Sequence, residues 1–208
     1  MARASHTSAK GEREKESDIV KWIILPLLLI SLTTKSADYC RIVPIILKHE
    51  GGLAHLPEGT TNKGVIYEKT WVFYFGKTYD RFLAMSDSDW GYIFKKGYWD
   101  KIKGDSIDNQ EVAEILADWV WMSGTVTPTK KVQKVLGIPQ TGRFDSYTLS
   151  KVNKANGYWL WQEIAKERFK FIANLAVYQP DKFAQFVNGW LNRMTNIIFE
   201  QHKLDKCK

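Results

Sequence analysis

Cysteine is nearly absent: the 208-residue sequence holds only Cys40 and Cys207. Two cysteines exclude a disulfide framework and a cysteine-rich metal site. In an oxidising compartment they can pair and tie the two ends of the intervening region together, or stand as free thiols. Histidine is also scarce, at four residues. His49-Glu50 opens like a zinc-protease helix, but the next histidine is His55, which breaks the H-E-x-x-H spacing that puts two ligands on one helical face, so no metal site is expected. No apolar run reaches the roughly 18 residues that span a bilayer as a helix. Strand-like alternation is almost absent, and no repeat or low-complexity linker marks a domain boundary. Lys and Arg are scattered, with short pairs such as Lys95-Lys96 and Lys130-Lys131 but no basic helix, so nucleic acid is not an expected partner.

What is present is a formal charge of +7 and a pI near 9.2, which favour an anionic polymer or membrane surface as partner. The hydrophobic share of 44%, with nine Trp and nine Tyr, requires a packed core and offers rings for stacking. An apolar segment runs from Trp22 to Leu32 (WIILPLLLISL) after a polar region of mixed charge, and is followed by Thr34, Ser36 and Ala37. This outlines an export signal, either cleaved or retained as an anchor, and gives a transient membrane association through residues 22–32. The expected location is exported, periplasmic or extracellular.

Beyond it the periodicity is helical. Residues 41–50 (RIVPIILKHE) read as a helix that tolerates Pro44 only in its first turn and is stopped by Gly51-Gly52. Residues 53–63 (LAHLPEGTTNK) read as an ordered loop or small hairpin. Short helices are expected around 70–75 and 86–98, the latter capped by Ser86 or Asp87. A longer helix over 109–123 has Val112, Ile115, Leu116, Trp119 and Val120 at core spacing and ends at Gly124. Further helices are expected over 158–178 and from Pro180-Asp181 onward. In the last one Phe183, Phe186, Val187, Trp190, Leu191, Met194, Ile197 and Ile198 form one stripe. The fold class is mainly α, one compact helical domain behind the hydrophobic segment.

Glu50 is the carboxylate that local physics singles out. It stands where a helix ends, facing the negative end of the helix dipole and next to apolar residues, which disfavours its ionisation and suits a general acid. The alternative is an exposed helix-end glutamate.

The run LKHEGG (47–52), followed by TNKGV (61–65), Thr70-Trp71, GYWD (97–100), Gly104-Asp105, Ala117-Asp118-Trp119, Ser123-Gly124 and FVNGWLNR (186–193), closely resembles glycosyl hydrolase family 108. The resemblance covers nearly all of residues 40–200. It implies a lysozyme-like helical fold and an N-acetylmuramidase acting on bacterial peptidoglycan without metal or organic cofactor. Residues 132–152 resemble a small peptidoglycan-binding motif through Leu136-Gly137, Thr141-Gly142, Phe144, Asp145 and Thr148-Leu149. These same residues also suit the turns and packing of a helical hairpin. The implied organisation is a signal or anchor region (1–37), a muramidase catalytic region (38–125) and a peptidoglycan-binding-like helical region integrated with it (126–208).

The resemblance carries the general acid onto Glu50. Its catalytic partner stays open, because family members commonly have a longer, Asp-containing loop after the two glycines. Glu58 is the carboxylate of the shorter loop here, and Thr61 is an alternative holder of the attacking water. Asn62 suits an acetamido group or a turn. Tyr98 is expected to face the cleft and Trp99 to be buried. Asp118 is a further candidate, grouped by periodicity with Glu111 and Glu114 on a solvated face, whereas Trp190 and Arg193 read as structural. The functional alternatives are a lytic transglycosylase, which needs no second carboxylate, and a non-catalytic wall-binding or secretion-accessory protein.

Overall fold

The computed structural model describes residues 36–57 and 59–197, with the backbone of the last helix continuing to residue 200. The apolar segment 22–32, Glu58 and Cys207 lie outside these residues.

Helix α1 (Tyr39–His49) begins earlier than its apolar pattern indicates, because Asp38 caps it by accepting from the Cys40 amide at 2.9 Å. Pro44 consequently sits in the second turn, not the first, and leaves the Cys40 carbonyl without its helical donor. Cys40 is exposed, so water can fill that place. Ile42, Ile45 and Ile46 bury the inner face. The glycine pair does not terminate the helix in a left-handed conformation: neither Gly51 nor Gly52 has positive φ. The chain leaves the helix at Glu50 itself, extended at φ −87° and ψ 135°.

The loop that follows is a three-stranded antiparallel sheet, β1 (Ala54–Leu56), β2 (Gly59–Asn62) and β3 (Val65–Ile66), in the order β1-β2-β3. Such short strands carry no period-two pattern, which is why alternation failed to announce them. The turns set the register. Asn62 pairs with Val65 across a two-residue turn in which Lys63 and Gly64 have φ 46° and 74°, the sign a type I′ turn requires at both positions.

A widened helical turn (Tyr67–Trp71) leads into α2 (Val72–Phe75), then α3 (Tyr79–Leu83) and α4 (Asp87–Phe94). Ser86 and Asp89 form a capping box at the start of α4. A second widened turn (Lys95–Trp99) follows. Helix α5 (Gln110–Ser123) is capped by Asn109, which accepts from the Val112 amide at 2.8 Å, and closed by Gly124 at φ 73°.

Every residue of α5 from 112 to 120 is buried. The helix therefore runs through the middle of the molecule, against α1, α6 (Val126–Val135) and α8 (Gly157–Tyr178). Its second face is not solvated as its carboxylates led us to expect: Glu114 and Asp118 are fully buried with the apolar stripe. The other large side chains buried in the core are Trp71, Trp90, Trp99, Phe82 and Phe94, beside Trp119 of α5 itself. Helix α9 (Pro180–Glu200) folds back on α8 and reaches α1, burying Met194 and Ile197. Phe186, at the start of the expected stripe, stays exposed.

In the segment that resembles a peptidoglycan-binding motif, buried Gln133 organises the turn before α7 (Ser146–Lys154). Its Nε2, with two hydrogens to give, lies 2.9–3.0 Å from Thr141 Oγ1, Arg143 O and Thr148 Oγ1, and its Oε1 accepts from the Gly142 amide at 2.9 Å. Asp145 caps α7 by accepting from the Thr148 amide at 2.8 Å. The polar motif residues thus bind one another. Among the described residues no helix is long and apolar enough to cross a membrane.

Candidate active site

Because the backbone turns extended at Glu50, its side chain leaves the helix axis and enters a cleft between the end of α1, the β2–β3 turn and the start of α4. The cleft measures about 540 Å³ and is lined by Leu47, Lys48, Glu50, Gly51, Gly52, Asn62, Lys63 and Asp87. A Cβ built on Gly51 or Gly52 would meet nothing within 4 Å. The glycines are not required by packing, and their lack of side chains keeps the cleft open beside Glu50.

The Glu50 carboxylate is nine-tenths buried and gripped from two distant helices. Trp121 Nε1, near the end of α5, donates to Oε1 at 2.7 Å, and Arg193 Nη1 of α9 donates to the same oxygen at 2.7 Å. Oε2 lies against Gly64, where a built Cβ would stand 2.2 Å from it and 3.0 Å from the Trp121 ring. A glycine is therefore fixed here twice, by its positive φ and by the closeness of the carboxylate.

Lys63, non-glycine at positive φ, is held by three contacts. Trp90 Nε1 donates to its carbonyl at 2.9 Å, and its Nζ donates to the Met85 carbonyl at 3.2 Å and to Asp87 Oδ1 at 2.5 Å. The turn carrying Gly64 is thereby locked onto α4. Trp90, Phe94, Tyr98 and Trp121 pack as one aromatic group behind the site, Tyr98 edge-on to Trp121 at 4.8 Å. Burial, and then the negative charge available at Tyr74 and Glu50, raise the Tyr98 phenol above its ordinary range. Trp99 is fully buried as expected and donates from Nε1 to Asp105 Oδ1 at 2.7 Å.

Asp118 does not face the cleft. Arg193 Nε and Nη2 donate to its Oδ1 at 2.9 and 2.8 Å, and Arg168 Nη2 donates to its Oδ2. Burial opposes ionisation of Asp118, but the two guanidinium charges outweigh it and hold the carboxyl below the usual range. Arg193 is the bridge, raised above its ordinary value by Asp118 first and Glu50 second against the cost of burial. Arg193 thus carries more than the structural role its stripe implied.

Of the other sequence candidates, Asn62 spends its amide hydrogens on the carbonyls of Phe82 and Leu83 at 2.9 and 3.2 Å, tying β2 to α3. Its amide nitrogen is therefore not free to greet an acetamido group. Thr61 is half-buried, its hydroxyl 3.4 Å from the Ala54 carbonyl. Glu58 lies outside the described residues. Trp121, Arg193, Gly64 and Asp87 are the site members that sequence reading missed. Among the described residues no cluster of His, Cys, Asp and Glu could hold a metal ion.

The fold resembles that of a solved structure, Brucella abortus SagA, with a TM-score of 0.66 and 24% identity, covering 79% of this chain and 92% of that one. No curated protein matches the chain. Residues 43–124 match the family Glycosyl hydrolase 108, a stretch that runs from within α1 to the end of α5 and holds Glu50, Gly64 and Trp121. Over this region the chain is similar to glycosyl hydrolase family 108.

Proposed function

We propose that this protein hydrolyses peptidoglycan at the β-1,4 bond between N-acetylmuramic acid and N-acetylglucosamine, with Glu50 as the general acid. The observation that carries this reading is the asymmetric hold on Glu50: Oε1 already accepts from Trp121 and Arg193, and Oε2 does not share those donors. A proton on the carboxyl therefore belongs on Oε2. A glycan in the cleft receives it on the glycosidic oxygen, the bond to the muramic C1 breaks with its electron pair leaving on that oxygen, and water adds to the oxocarbenium-like carbon. The water's proton passes to a base. Asp87 is the further carboxylate lining the cleft among the described residues, with Lys63 on one of its oxygens. Glu58 is its rival for the role. Work at the wall requires export, for which residues 22–32 are the proposed segment, and the +7 charge favours an anionic wall.

The test compares wild type and Glu50→Gln in clearing peptidoglycan suspensions, with mass spectrometry of the released fragments. Loss of the general acid in Glu50→Gln is expected to slow clearing by about 10²–10⁴-fold, and the wild-type products are expected to carry reducing muramic ends. Equal clearing by both proteins would remove Glu50 from the chemistry. Anhydro ends would make the enzyme a transglycosylase, and clearing by neither protein would make it a wall-binding module.

A further inference from the structure

The net charge is divided unevenly along the fold. Over residues 36–125, the stretch that lines the cleft, ten basic residues stand against thirteen acidic ones, a balance of −3. From the start of α6 to the end of α8, residues 126–178, nine basic residues stand against three acidic ones, a balance of +6. An anionic polymer is therefore repelled by the region that holds Glu50 and attracted by the one that follows it.

The positive charge gathers where α6 packs on α8. Lys131 and Lys134 of α6 and Lys170 of α8 place their Nζ atoms 3.4, 3.5 and 3.2 Å from one carboxylate, Glu167, whose side chain is 8% exposed. Burial opposes ionisation of Glu167, but these ammonium groups outweigh it and hold the carboxyl below its ordinary range, so it counts as a full negative charge. Three like charges thus crowd around a single counter-charge, and two are left uncompensated. A single lysine would neutralise Glu167, so its burial does not call for the other two. Lys166 stands one turn before Lys170 and pairs with Glu163 at 2.6 Å. Lys134, Lys166 and Lys170 are 53%, 60% and 65% exposed, which leaves their ammonium groups open to a partner.

We propose that this lysine face of α6 and α8 is a docking surface for peptidoglycan, which it holds by the carboxylates of the peptide side chains while glycan is cleaved in the Glu50 cleft. The inference rests on peptidoglycan's being the substrate, but not on Glu50's being the acid. Ammonium groups act as point charges and demand no planar or bidentate partner, which suits a series of flexible carboxylates better than one fixed ligand. None of these lysines lines the cleft, so docking and cleavage are separable.

Sedimentation with insoluble peptidoglycan on ice, in a common Glu50→Gln background of the full-length protein, measures docking apart from digestion. Lys134→Gln/Lys166→Gln/Lys170→Gln leaves Lys131 to neutralise Glu167 and is expected to bind about tenfold more weakly, a difference of about 1.4 kcal/mol. Lys69→Gln/Lys77→Gln/Lys101→Gln removes the same charge from exposed positions of the acidic region and is expected to change binding by less than about twofold, since exposed charges beyond a Debye length are screened. Peptidoglycan whose carboxylates have been amidated with glycinamide is expected to lose the same factor with every lysine in place. Circular dichroism establishes that the variants are folded. Four results would each overturn the proposal: no sedimentation with native peptidoglycan, equal losses from the two triple variants, undiminished binding to amidated peptidoglycan, or lysine changes that weaken binding to phosphatidylglycerol vesicles and not to peptidoglycan. If Glu50→Gln cleared walls as fast as wild type while this binding pattern held, the general acid would fall and the docking surface would stand.

Discussion

Replacing Arg193 by methionine removes the bridge between Glu50 and Asp118 while keeping a side chain of similar reach. Three hydrogen bonds to Asp118 and Glu50 carboxylate oxygens disappear, all from a side chain only 8% exposed. Breaking one partner out of a buried ion pair costs about 3–5 kcal/mol, because the remaining charge stays buried and under-paired. Solvent screening does not soften this much, since Asp118 has no exposure at all. For a domain of this size each kcal/mol lowers the melting temperature by roughly 2–4 °C, so a drop of roughly 6–20 °C is expected. The assay is thermal unfolding at neutral pH by circular dichroism, with wall clearing measured well below the variant's melting point. Clearing is expected to fall as well, because Oε1 of Glu50 is left with Trp121 alone. The double variant Arg193→Met/Asp118→Asn is expected to cost less than the two single changes together, by about 0.5–3 kcal/mol, as for residues in one network. A single variant within about 0.5 kcal/mol of wild type, the range of an ordinary surface change, would refute the reasoning.

Other consequences follow from the same geometry. The Asp118 carboxyl is held below its unfolded value of 3.8, so its contribution is fully present above that value and is lost as pH falls through the lower folded value; Asp118→Asn should flatten the stability curve below about pH 4, and an unchanged acid limb would contradict the pairing. Gly64→Ala places a Cβ in left-handed backbone and 2.2 Å from Glu50 Oε2, so both stability and clearing should fall, stability by more than about 1 kcal/mol; a neutral variant would mean the turn relaxes freely. Trp121→Phe keeps an aromatic ring and deletes the N–H to Glu50, and should lose about 0.5–1.5 kcal/mol, read by denaturant unfolding; unchanged stability would contradict the bond.

What the sequence disclosed and what it hid divide by distance along the chain. Helices α4, α5 and α9 were legible because their signals are local: Ser86 and Asn109 as caps, Gly124 as a stop, and apolar residues at helical spacing. Local reasoning went wrong at Pro44, where an upstream cap moved the first turn; residues 53–63, read as an ordered loop or small hairpin, do form the hairpin of β1 and β2, and only the third strand was unannounced, being too short to show a period. The place of Glu50 at the end of a helix was legible. Its surroundings were not, because the groups that hold it come from far away: Trp121 is 71 residues on and Arg193 is 143.

One signal for that network was nevertheless present. Asp118 stands in an otherwise apolar stretch of α5, and Arg193 follows Trp190 by three residues and precedes Ile197 by four, on the face of α9 that turns inward. A carboxylate and a guanidinium each flanked by buried positions cannot both be solvated, and a buried charge survives only when paired. Reading the two anomalies together points to a buried ion pair, which Asp118 makes with Arg193 and with Arg168. The geometry adds that Arg193 has donors for a second carboxylate, so the residue that neutralises the core also reaches the cleft. The cost of burying Asp118 is thereby tied to the position of Glu50: a guanidinium fixed on one side by a fully buried anion cannot swing away from the other, and the proposed acid is held in place by the core of the fold.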